Sequence, residues 1–170
     1  MIYLDYSANA PVSPRVLQCF ADAAVKYPGN PNAKHPAGLA AKAAIDAATD
    51  RIAATLGVHA DEIIYTSGAS ESNNTAIRGI LHASRHIGRH VITTPLEHPS
   101  VSGCLTAAME RGYEIDMLAV GRDGKIDPEE VRALLRPDTV LVTMTAVDSE
   151  LGTVQPVREV ARVLRGAAHC

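Results

Sequence analysis

Tryptophan is absent from this 170-residue chain, and one Phe and five Tyr are its only aromatics. A core without large rings has to be assembled from Ala, Val, Ile and Leu, within a hydrophobic content of 46%. No apolar run reaches the ~20 residues that a membrane-spanning helix needs. The start, Met1-Ile2-Tyr3-Leu4-Asp5, lacks both the basic opening and the apolar stretch of a signal peptide. Cysteine is scarce: Cys19, Cys104 and Cys170 lie far apart, with no CxxC pair and no metal-ligand spacing. No metal centre is expected, and a reduced, cytoplasmic setting fits. A strong charge of either sign is also missing. Sixteen Lys+Arg face nineteen Asp+Glu, for a net charge of −3. That excludes the usual electrostatic signature of a nucleic-acid or membrane-surface partner. Neither a Walker loop nor GxGxxG occurs. The chain is too apolar for disorder, and its length suits one domain that buries about 70% of its unfolded surface.

What is present is alternation. Short β-branched runs alternate with helical stretches, the pattern of an α/β fold. Helices are expected over Val16–Val25 (after Ser13-Pro14), Gly38–Leu56 (ended by Gly57), Ala69–Ala83, Pro99–Arg111, Pro128–Leu135 (N-capped by Asp127) and Val157–Leu164. Strands are expected over Glu62–Thr66, His90–Thr94, Glu114–Ala119 and Thr139–Val147, with a turn at Gly121-Arg122-Asp123-Gly124. Continuous apolar runs such as Val140-Leu141-Val142 indicate a parallel sheet covered on both faces. Ala167-Ala168-His169-Cys170 reads as the opening of one more strand, so the domain is expected to be incomplete; a frayed tail is the plainer alternative.

Four loops could carry chemistry. Thr66-Ser67-Gly68-Ala69-Ser70-Glu71-Ser72-Asn73 lies where a strand turns into a helix. Unpaired first-turn N–H groups, the positive end of the helix dipole and several hydroxyls suit a phosphate there. An ordinary capped helix start needs only one of those hydroxyls, and the residues leave both readings open. Thr94-Pro95-Leu96-Glu97-His98-Pro99-Ser100 follows a strand, at the edge where parallel sheets bind ligands. His98 there could stack on a planar ligand or move a proton, against the plainer reading of a solvated or capping His. His59, His82, His86 and His90 form no recognisable cluster with it and read as surface or strand-start residues. Ala146 to Pro156, including Asp148-Ser149, is a third loop past a strand end, or simply a polar loop capping itself. Gly29 to His35 is too rich in Pro, Gly and Asn for regular structure and is expected to hold a fixed irregular shape. These loops suggest a phosphorylated planar cofactor without naming it.

In order along the chain, Tyr3-Leu4-Asp5-Tyr6-Ser7-Ala8-Asn9-Ala10-Pro11, Gly29-Asn30-Pro31, Thr66 to Asn73, Glu97-His98 and Glu150-Leu151-Gly152-Thr153-Val154-Gln155 match a known pattern. The chain resembles the N-terminal part of NifS/IscS-type cysteine desulfurases, in the class V aminotransferase group of fold-type I pyridoxal-phosphate enzymes. The resemblance implies an incomplete fold-type I large domain: an arm over 1–13, helices and a loop over 14–57, and the cofactor-binding α/β domain over 58–170. It implies pyridoxal 5'-phosphate as cofactor. Ala69 and Ser70 would hold its phosphate, His98 would stack on the ring and move protons, and Ser149 would sit near the phenolic oxygen. It further implies conversion of L-cysteine to L-alanine, with persulfide sulfur passed to an acceptor or scaffold protein for iron–sulfur clusters or thiolation. A homodimer or a complementing C-terminal chain is implied as well.

The chain also departs from that pattern. Asp148-Ser149 stands where the family has Asn-Asn, and Asn9-Ala10 where it has Thr-Thr. The family's Asp to the pyridine nitrogen, its cofactor-anchoring Lys, its substrate-carboxylate Arg and its sulfur-accepting Cys have no counterpart. None of Lys26, Lys34, Lys42 and Lys125 matches the anchor, and none of the cysteines matches the acceptor. Without the carboxylate and the lysine the cofactor's chemistry is not available. The chain alone is therefore expected to be inactive, and its half-sheet to pair or aggregate. A non-catalytic desulfurase-like binding module and another class V lyase, such as a selenocysteine lyase, are the alternatives.

Overall fold

A computed structural model describes residues 2–167. It divides into two compact units, Met1–Tyr65 and Thr66–Cys170, where length alone suits one. The strand opening expected at Ala167-Ala168-His169-Cys170 lies, apart from Ala167, outside the described residues.

The first unit is helical. Helix α1 (Pro14–Lys26) and helix α2 (Pro36–Leu56) each begin with Pro, whose fixed φ and missing N–H suit that position. Helix α2 starts two residues earlier than expected because His35 Nδ1 accepts the Gly38 N–H at 3.2 Å and caps it. Gly57, at φ 71°, ends it in the left-handed conformation. The loop between the helices is tightly shaped. Asn30 Oδ1 accepts the Asn32 N–H at 2.9 Å, and the Ala33 N–H bonds the Asn30 carbonyl. A Cβ on Gly29 would strike the Ala37 carbonyl, and one on Gly38 the carbonyls of Ala33 and Asn30, so glycine is required at both positions. The strand expected over Glu62–Thr66 does not form. A 3₁₀ turn, Ala60–Glu62, takes its start, held by the His59 N–H donating to Glu62 Oε2 at 2.7 Å. Residues 63–66 have no strand partner among the described residues.

The second unit is a three-layer α/β structure. Its elements are α3 (Ala69–Ala83), β1 (His90–Thr93), α4 (Pro99–Met109), β2 (Glu114–Met117), α5 (Pro128–Leu134), β3 (Thr139–Val142) and α6 (Val157–Gly166). The sheet is parallel in the order β2-β1-β3, as the apolar strands predict. Alternation along the central strand splits the core. Val91 faces Ile77, Leu81, Val101 and Leu105 of α3 and α4. Ile92 faces Val131 of α5 and Val160 and Val163 of α6. Asp127 caps α5 as expected, its Oδ1 accepting the Glu129 N–H at 2.9 Å. The last strand is shorter than the β-branched run Thr139–Val147 suggests. The Thr143 N–H still bonds the Ile92 carbonyl at 2.9 Å, but β1 ends at Thr93, and past Thr143 the described residues of the run make only an isolated antiparallel bridge, Val147 to Val154. His90 does start a strand, yet it is fully buried. Its ring bridges Thr139 Oγ1 at 2.7 Å and Asp116 Oδ2 at 3.0 Å across all three strands.

Candidate functional site

The sheet's topology selects a place before any side chain is considered. From the central strand β1 the chain leaves into α4 on one face, and from β3 it leaves into α6 on the other. The loops after β1 and β3 therefore diverge, and such a switch point at the C-terminal edge is where open parallel sheets bind ligands.

Glu97 links the two loops. Its Oε1 accepts the Thr94 hydroxyl at 2.9 Å and the Thr145 N–H at 2.7 Å, so one carboxylate ties the end of β1 to the end of β3. The next residue, His98, is exposed and caps α4. Its Nδ1 accepts the Ser100 N–H at 3.1 Å and lies 2.9 Å from Ser100 Oγ. An N–H can only donate, so Nδ1 carries no proton and the neutral ring bears it on Nε2. The capping reading of His98 is thus correct for Nδ1, while Nε2 has no partner among the described residues. Asn73 Nδ2, in the second turn of α3, donates to the same Ser100 Oγ at 2.8 Å. The N-terminal turns of α3 and the start of α4 are thereby held side by side.

That first turn stays open. The residue before it is Gly68, so no side chain caps the helix, and a Cβ at Gly68 would meet nothing within 4 Å. The nearby hydroxyls are committed elsewhere: Thr66 Oγ1 to Ser72 Oγ at 2.6 Å, and Ser67 Oγ to Glu71 Oε2 at 2.7 Å. The N–H and hydroxyl of Ser67 together hold the Glu71 carboxyl below its ordinary carboxylate value, the backbone bond contributing most. Ser70 Oγ and the leading N–H groups of a 15-residue helix remain for an anion. This donor set fits a phosphate.

The third loop is more self-contained. Asp148 Oδ1 accepts the N–H groups of Glu150 at 3.0 Å and Leu151 at 2.6 Å, so this carboxylate shapes its own loop. Ser149 is exposed and joins no hydrogen bond among the described residues. Gln155, from the same motif, is buried and structural. Its Nε2 donates to the Gly124 carbonyl at 2.7 Å and its Oε1 accepts the Ile126 N–H at 3.1 Å. Sequence reasoning assigned no role to Asn73, Glu97 or Ser100. The one available signal was Pro99 in a first helical turn, which makes His98 the cap and brings Ser100 within its reach. The loop Gly29 to His35 belongs to the first unit. Among the described residues no group of three His, Cys, Asp or Glu could hold a metal ion, and no helix is long and apolar enough to cross a membrane.

Comparison with known proteins bears on the family and the fold. The family model for aminotransferase class V matches residues 2–170. The cysteine desulfurase IscS of Anaeromyxobacter sp. (strain K) is 40% identical over 173 residues, which is 99% of this chain and 43% of that protein. A solved NifS-like protein superimposes with a TM-score of 0.92 at 33% identity, over 96% of this chain and 45% of its own. The structure of SspA in complex with cysteine does so with a TM-score of 0.88 at 36% identity, over 96% of this chain and 47% of its own. This chain thus spans less than half the length of the relatives it matches. Its parallel sheet and flanking helices form part of a fold-type I large domain. With that match running through both units and all the strand-end loops, the chain belongs to the class V aminotransferase family.

Proposed function

We propose that this chain supplies the phosphate-binding and ring-facing loops of a pyridoxal-phosphate-dependent cysteine desulfurase. The observation that carries the reading is the open first turn of α3, tethered through Asn73 and Ser100 to the helix that His98 caps. The N–H of Ala69 and the hydroxyl of Ser70 would hold the cofactor phosphate. His98 would face the ring, and Ser149 would lie toward its oxygen substituent. When bound, the cofactor supplies an electron sink for bonds at the α-carbon of an amino acid. The contribution of His98 follows from its fixed tautomer: Nε2 presents a proton while Ser100 holds the ring in one orientation. Glu97 keeps the two loops together, so the space between them has a defined width.

The substrate is L-cysteine, a reading supported by the IscS relative and by the cysteine in the SspA structure. The sulfur would pass to an acceptor or scaffold protein in the cytoplasm. The anchoring lysine, the ring-nitrogen carboxylate and the sulfur-accepting cysteine would come from a continuation of the sequence or from a complementing chain, and a partner copy would pair with this one as a homodimer. One observation favours a non-catalytic module instead: at Ser149, where the resemblance expects a ligand-facing amide, a short hydroxyl stands exposed, while its neighbour Asp148 spends its carboxylate on its own loop.

The test is a titration of pyridoxal 5'-phosphate into the 170-residue chain, followed by absorbance. Reversible binding is expected, weakened about tenfold by Ser70→Ala through loss of one hydrogen bond to a charged group. No sulfide should be released from L-cysteine by the chain alone. Absence of cofactor binding would defeat the reading of the loops. Sulfide release would defeat the reading that essential groups come from elsewhere.

A further inference from the structure

A second polar feature lies at the opposite edge of the sheet. Helices α3 and α4 run back from the candidate site, and their C-terminal halves enclose an open pocket of about 190 Å³ with the segments entering β1 and β2. Its rim carries four guanidiniums, Arg78, Arg85, Arg89 and Arg111, with His82 among them. Arg78, His82 and Arg85 share one face of α3 and its following turn, spaced at i, i+4 and i+7. Arg89 leads into β1, and Arg111 follows α4. No carboxylate lines the pocket, and none of these four arginines has an ion-pair partner among the described residues. The chain as a whole carries a net charge of −3, so this concentration of positive charge is local.

The plainer account is that the arginines cap two helix C-termini. It covers part of what is seen. Arg85 donates to the His82 carbonyl, and Arg89 Nη1 to the Arg111 carbonyl at 3.1 Å. Each of these bonds uses one of a guanidinium's five N–H groups. The side chains of Arg78 and Arg111 make no hydrogen bond among the described residues. Two helix ends supply about half a negative charge each, too little to balance four guanidiniums around one pocket. Like charges so arranged repel unless an anion sits between them.

We propose that this pocket binds a small phosphoryl anion of the diphosphate class. Guanidinium forks arriving from α3, from the entry to β1 and from the end of α4 match a ligand with several oxygens pointing in different directions. Leu81, Ala108 and Tyr113 form an apolar floor, and the Tyr113 hydroxyl is already committed to the Leu81 carbonyl at 2.6 Å. The pocket is smaller than the ~300–1,000 Å³ typical of sites for larger organic ligands, which suits a compact anion. The occupant is separate from the cofactor phosphate, because the open turn of α3 lies at the other end of the same helix.

The test is calorimetric titration of the 170-residue chain with inorganic pyrophosphate at low and moderate salt. Saturable binding that weakens with salt is expected. The double variant Arg78→Gln/Arg111→Gln should weaken it about tenfold or more, with an unchanged circular dichroism spectrum, since both side chains are exposed. Arg78→Lys/Arg111→Lys keeps the charge but not the fork, and should fall between. This Lys variant decides the matter if the Gln variant does not fold. Ser70→Ala should leave the part of the pyrophosphate binding that the arginine variants remove unchanged. The proposal is overturned if pyrophosphate shows no saturable binding, or if Ser70→Ala abolishes binding while the arginine variants retain it. It is also overturned if a DNA oligonucleotide binds through these arginines and pyrophosphate does not.

Discussion

The two units of this chain were built from similar local signals with very different results. In the first, α1 has a proline start and a clear apolar face, yet none of its residues is buried, and Phe20 remains 72% exposed. In the second, α4 also opens on a proline and buries Val101, Cys104, Leu105 and Ala108 against the sheet. Capping and periodicity make a helix in either place. Only a neighbouring surface of matching shape turns an apolar face into a core, and the parallel sheet provides one on both of its sides.

Core truncation gives the largest expected contrast. Ile92 is fully buried at the centre of the sheet, and Ile92→Ala should cost about 2–5 kcal/mol in denaturant unfolding. Phe20→Ala, on the exposed face of α1, should change stability by no more than about 0.5 kcal/mol. Similar costs for the two would break the comparison. A smaller contrast comes from polar pinning. Gln155→Ala leaves the Gly124 carbonyl and the Ile126 N–H without their partner and should cost about 1–3 kcal/mol by the same measurement. A loss below the exposed-site range would mean that water replaces the side chain.

The smallest expected effect depends on pH. Ser67 lowers the folded-state value of Glu71, so its contribution is full above the unfolded carboxylate value. It disappears as pH falls through the folded one. Glu71→Gln removes this dependence. The two proteins should differ most in thermal stability near neutral pH and converge in acid. A difference that grows in acid would reverse the sign of the argument.

Much of the local structure was legible in advance. The α3 boundaries, the Asp127 cap, the Gly57 stop and the parallel sheet follow from capping residues, glycine conformation and apolar runs, all of which act over a few neighbours. The misjudged strands share one cause. Glu62–Thr66 and the end of Thr139–Val147 have β-forming composition, but a strand exists only where another lies beside it. The buried bridge from His90 to Asp116 and Thr139 was hidden for the same reason, since its partners are 26 and 49 residues away in sequence.

The candidate site divides along the same line. Residue types and their order alone identified the phosphate-suited helix start, His98 and the class V pattern, because a helix N-terminus and a motif are local objects. Tertiary structure decided what those groups can do. It brought Asn73 to Ser100, joined the strand-end loops through Glu97 and turned Gln155 inward. It also gathered arginines from three segments around one pocket. Each of these depends on packing two helices and three strands in register, and hydrogen bonds between segments far apart in sequence exist only once that packing has formed.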